Sequence, residues 1–200
     1  MIANTLATSL SSQAIVPKTC RPVADALSTI LDELRTVLSG LESTRYAAKM
    51  GALFGNSSIG AHVRHVLDHA RALVDGAASG TIDYDHRVRG TAIETDPAAA
   101  LRELEYLINS TRLLAGHDAG ERVGVAIMPT RDGESVTLTS SLARELAFVL
   151  SHTIHHNATI RGMAVAAGHD VPEGFGYAPS TLAHAATHSH FQKERCACVR

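Results

Sequence analysis

Four stretches of this 200-residue chain carry apolar residues at every third or fourth position, and each opens with helix-start chemistry. The first runs from about residue 21 into the forties. Pro22 suits an opening helical turn, and Val23, Ala26, Leu27, Ile30, Leu31, Leu34, Val37, Leu38 and Leu41 follow at helical spacing. The second is capped by Asn56-Ser57-Ser58, carries Ile59, Val63, Val66, Leu67, Ala70, Leu73 and Val74, and fades over residues 76–80. The third starts at Asp96-Pro97, presents Leu101, Leu104, Leu107 and Leu114, and ends near Gly116. The fourth is capped by Ser140 or Ser141 and presents Leu142, Leu146, Val149, Leu150, Thr153 and Ile160. None of the four is apolar all round. A helix with one apolar stripe must bury it against another element, so the expected fold is all-α, a four-helix bundle. Ahead of the fourth helix, the β-rich runs 123–127 and 134–138 flank Arg131-Asp132-Gly133, which predicts a short hairpin. The connections over residues 80–96 and 116–139 are long and leave the up-down order open.

The length fits one domain with tails. Residues 1–20 are expected to be a mobile Ser/Thr/Ala-rich arm, 21–181 the bundle, and 182–200 a His/Cys-containing tail. The start MIANTLATSLSSQAIVP lacks the basic region and apolar core of a secretory signal. No run approaches the ~18 apolar residues of a membrane span, so no membrane partner is expected. Three cysteines suggest no disulfide framework, which makes a cytoplasmic location the expectation. With no Trp, 4% aromatics and a net charge of −2, the chain has neither a stacking platform nor a basic field, which argues against nucleic acid.

Histidine is abundant, 12 of 200 residues, and half of these fall on just two of the predicted helices. In helical projection His62 and His69 flank the apolar face of the second helix, with His65 further round. His152 and His156 flank the matching side of the fourth, and His155 points toward solvent. Residues one turn apart are neighbours on a helix surface, so His152 and His156 can meet one divalent ion, and a third imidazole from the second helix would leave coordination positions open. No Glu lies between His152 and His156, so the zincin pattern is absent, and no Glu-x-x-His occurs, which removes a di-iron carboxylate site. Glu145, about two turns before His152, is a candidate supporting residue.

The crossover Ile82-Asp83-Tyr84-Asp85-His86-Arg87-Val88-Arg89-Gly90 is long and polar, a pattern that often carries function. Arg87 and Arg89 can offer forked donors to a substrate carboxylate, or pin the crossover through Asp83, Asp85 or Glu94. Tyr84 can donate to a bound group or simply pack. In the tail, His184, His188, His190, Cys196 and Cys198 have ligand chemistry for a secondary metal or redox site, without the spacing of a closed zinc finger.

Two of these segments resemble a known family. Ser58-Ile-Gly-Ala-His62-Val-Arg-His65 is similar to the second-helix signature of DinB-like proteins. That group is related to thiol S-transferases and to the N-terminal domain of ergothioneine-forming sulfoxide synthases. Residues 141–156, ending in His152-Thr-Ile-His-His156, resemble its fourth-helix signature, and the likeness spans about residues 22–180. The resemblance implies an up-down-down-up bundle with a divalent ion held by His65, His152 and His156. Zinc is the first expectation for that ion, with nickel, iron or manganese as alternatives. It further implies a metal-dependent enzyme acting on a small-molecule substrate, with a thiol or water as the activated group, as in a thiol S-transferase or a hydrolase. The alternative reading is a non-catalytic metal-binding stress or accessory protein that forms a homodimer through its bundle.

Overall fold

The computed structural model describes residues 16–187, which are mostly helical with one small sheet. The helices are α1 (Arg21–Ser39), α2 (Ser43–Ala47), α3 (Ile59–Ser79), α4 (Pro97–Leu113) and α5 (Leu142–Ala166), and residues 179–187 are also helical. The four long helices are the four apolar stripes of the sequence. Ser58 caps α3 by accepting from the Ala61 amide at 3.1 Å, Asp96 caps α4 by accepting from the Ala98 amide at 2.9 Å, and Ser141 caps α5. Gly80 ends α3 in the left-handed conformation, φ 83°, where a side chain would be strained. The first stripe divides: α1 stops at Gly40, and Leu41 fills the core from outside the helix.

Helices α1 and α3 each pack against both α4 and α5. Leu27, Leu31 and Leu34 of α1, Val63, Val66 and Leu73 of α3, Leu104 and Leu107 of α4, and Leu146, Val149 and Ile160 of α5 are all fully buried. Each such side chain contributes ~1.5–3 kcal/mol relative to exposure, and together they hold the helices in place. Phe175, beyond α5, joins the same core.

Strands β2 (Arg122–Ile127) and β3 (Val136–Ser141) form the expected hairpin. A third strand, β1 (Thr81–Asp83), pairs parallel with β2, giving the order β1-β2-β3. It went unforeseen because three residues carry no readable alternation. Two glycines seat the crossover on α3. A Cβ at Gly76 would collide with Ile82, and one at Gly60 would collide with the Glu94 carbonyl. The hydroxyl of Tyr46 in α2 donates to the Ile93 carbonyl at 2.6 Å and fixes the far end.

At the N-terminal side Thr19 bridges to Asp118 and Cys20 is buried. The rest of the predicted arm, residues 1–15, and His188, His190, Cys196 and Cys198 of the tail lie outside the described residues. No described helix is long and apolar enough to cross a membrane.

Candidate metal centre

Helices α3 and α5 pack together, and their histidines meet in the groove between them. The spacing dictates this: His62, His65 and His69 lie on one flank of α3, and His152 and His156 are one turn apart on α5. Nε2 of His65 and Nε2 of His152 are 3.0 Å apart. Two ligands at ~2.0–2.1 Å from one zinc ion in tetrahedral geometry would be about 3.3 Å apart, so the pair already has the span of a coordination edge. His69 completes the group: one donor atom from each of His65, His69 and His152 lies within 4.8 Å of the others.

His69 is the most buried of the three, 6% exposed, and its tautomer is set by its surroundings. Its Nδ1 faces the His65 carbonyl at 2.9 Å, and a carbonyl only accepts, so Nδ1 carries the proton and Nε2 is left with a free lone pair. The ring of His152 stacks on that of His69 at 4.1 Å between centroids.

His156 stands beside this group. Its ring centroid is 4.6 Å from those of both His65 and His152, while its Nδ1 faces Nδ1 of His62 at 3.1 Å. Family register put His156 with His65 and His152; the three imidazoles whose donor atoms lie within 4.8 Å of one another are His65, His69 and His152. Helical projection had already placed His69 at the edge of the apolar face, and that was the signal that could have found it. His155 is exposed.

All five clustered rings are held neutral near pH 7. Burial, reinforced by neighbouring imidazoles, brings His65 down to about 3, and burial brings His69 and His156 down to about 4. Burial lowers His62 and His152 as well. A neutral imidazole is the form that ligates a metal, so the donor set fits a divalent ion.

The crossover closes one side. Arg87 Nη1 donates to His65 Nδ1 at 2.8 Å, so neutral His65 carries its proton on Nε2 and donates it to His152 Nε2. The Arg87 contact must give way, and that proton move to Nδ1, before Nε2 can hold an ion. The acids that sequence reasoning offered Arg87 are engaged elsewhere: Asp83 by His86, Asp85 by the Met128 amide, and Glu94 by Arg64. Arg89 is exposed on the crossover. Tyr84 is buried, its ring stacked on His69 at 5.4 Å, and its hydroxyl donates to Glu145 Oε2 at 3.0 Å. Burial and the Glu145 carboxylate push the Tyr84 phenol far up, so it remains a donor. Glu145, fully buried, also accepts from Ser140 at 2.5 Å and Arg144 at 2.8 Å, and Tyr84 connects it to His69. Phe148 stacks on His152 at 5.8 Å, a neighbour that the sequence reading missed although it lies one turn before His152. His184, on the helix over residues 179–187, is exposed.

No family model and no solved structure matches the chain. FK506-binding protein 5 of Rhizopus delemar is 31% identical over 110 residues, covering 52% of this chain. The match takes in 27% of that protein's own length, too small a share to define a family.

Proposed function

We propose that this chain is a DinB-like metal-dependent protein, an up-down-down-up four-helix bundle with a divalent ion held between α3 and α5 by His65, His69 and His152. The convergence of those three imidazoles within 4.8 Å carries the reading. The signatures around His62–His65 and His152–His156, and the packing of α1 and α3 each against α4 and α5, support the family and the topology.

A divalent ion in such a site supplies Lewis acidity, which lets a water or a thiol lose its proton near neutral pH. Three protein ligands leave room for that group, the arrangement that separates catalytic from closed structural sites. Tyr84 and Phe148 stack on the imidazoles on the side of the hairpin, and Glu145 holds the Tyr84 hydroxyl in place. Arg87, at the rim beside His65, is the group available to an anionic substrate. Thiol transfer to an electrophile or hydrolysis of a small molecule is the chemistry this arrangement serves. Zinc is the first candidate, with nickel, iron and manganese as alternatives, because three imidazoles suit several divalent ions and cellular supply then decides.

Elemental analysis of full-length protein purified without a histidine tag, together with thiol-conjugation and ester-hydrolysis assays, tests the reading. The expected result is about one ion per chain and an activity that a chelator abolishes and added metal restores. Protein that takes up no ion from a micromolar supply would contradict it.

A further inference from the structure

The inner face of the hairpin and the first turns of α5 enclose a pocket of about 380 Å³ beside the histidines. The register pairs Val123 with Ser140, Val125 with Leu138 and Ile127 with Val136, and alternate residues of a strand share a face. Near Ser140 this face is closed: Val123 and Val125 are buried. Toward the turn it opens, and Leu138 and Val136 are 53% and 44% exposed. Val125, Ile127 and Leu138 line one wall, and Tyr84 and Phe148, 5.1 Å apart, line the other.

The buried polar groups of the pocket bond one another. Glu145 takes the Tyr84 hydroxyl, the Ser140 hydroxyl and the Arg144 guanidinium, so its charge is balanced and its oxygens are satisfied. Glu145 and Arg144 offset one another, so a charged guest would meet no net countercharge in the pocket and would lose hydration on entry. The volume is near the small end of ligand pockets, ~300–1,000 Å³, too small for a helix or strand of a partner protein. The same two rings that form its wall stack on His69 and His152.

We propose that this pocket binds the apolar body of the substrate, an uncharged aromatic or branched-aliphatic group, and delivers the reacting end past Tyr84 and Phe148 to the histidine centre. The delivery rests on the metal-centre reading above; the binding does not. The probe is N-phenyl-1-naphthylamine, an uncharged fluorophore, titrated into the full chain. Saturable binding at one site per chain is expected, tighter than that of the anionic 8-anilinonaphthalene-1-sulfonate. Leu138→Glu places a charge at the exposed mouth and should weaken the uncharged probe by about tenfold or more, with helicity and metal content unchanged. Leu138→Ser should weaken it in the same direction by less, should the glutamate variant fail to fold. Cobalt-loaded protein should quench the bound probe, and His152→Ala should keep the probe while losing the metal. No saturable binding, equal binding by both Leu138 variants and the parent, or bound probe unquenched by cobalt held at the centre would each overturn the proposal. Absence of metal with probe binding intact would instead count against the metal centre alone.

Discussion

Helices α1 and α4 use helical spacing to opposite ends from α3 and α5. The buried faces of α1 and α4 are Leu, Ile, Val and Ala with an occasional hydroxyl or proline, and they hold no histidine, acid or base. Helices α3 and α5 bury His69 and Glu145 and bring four more rings, His62, His65, His152 and His156, to the groove between them. Imidazoles packed together at low exposure pay desolvation that leucines do not. One pair of helices therefore supplies stability that the other pair spends on a donor set, and the two should respond separately to mutation.

The largest effect expected is on the stabilising side. Leu104→Ala removes a fully buried side chain from α4 and should cost ~2–5 kcal/mol in denaturant unfolding. Metal stoichiometry of the folded fraction should be unchanged. Loss of metal by the folded variant would break the separation.

On the other side, His69→Ala should weaken metal binding by roughly a hundredfold or more, since losing even an outer-shell partner costs ~10–100-fold. His156→Ala should cost less than about tenfold, because His156 is outside the group of donor atoms within 4.8 Å of one another. Calorimetric titration of both variants would show whether His69 or His156 is the third ligand, and the reverse ranking would restore the register assignment.

Acid sharpens the same contrast. Folded His65, His69 and His156 stay neutral down to about 3, 4 and 4, because burial penalises their charged forms. In the unfolded chain histidine protonates near ~6.5. Between those values the unfolded state binds more protons, so stability is complete above ~6.5 and declines as pH falls toward the folded values. Unfolding measured from pH 7 down to 4 should show this decline, flattened when His65, His69 and His156 are replaced together. The folded imidazoles stay neutral over that range, so metal loss above about 4 should follow unfolding, with direct displacement by protons only below it.

The smallest effect concerns Arg87. It sets a positive charge against His65 and donates to one of its ring nitrogens. Arg87→Ala should tighten metal binding by about threefold to tenfold, a change of ~1 kcal/mol. A weaker affinity would show that Arg87 positions His65 rather than competing with the ion.

The stripes and caps of the four long helices were legible because burial of one face enforces a 3.6-residue period, and Ser58, Asp96 and Ser141 mark the starts. Strand β1 was not, since its pairing depends on what Gly76 leaves room for one turn away in α3. The histidines could be placed on two helices and on matching flanks, but ring contacts depend on helix rotation and side-chain torsions. Hence His69 entered where register put His156. Glu145 was visible as a boundary residue, and its three donors were not, because Tyr84, Ser140 and Arg144 come from the crossover, the hairpin and the helix itself.

Cobalt(II) titration of the full chain, followed in the visible spectrum and repeated with His152→Ala, tests the claim of a three-imidazole centre most directly. Saturation near one equivalent, ligand-field bands without thiolate charge transfer, and loss of those bands in a His152→Ala variant that remains helical are expected. A thiolate charge-transfer band that survives in His152→Ala would place the metal on cysteine and contradict a centre between α3 and α5.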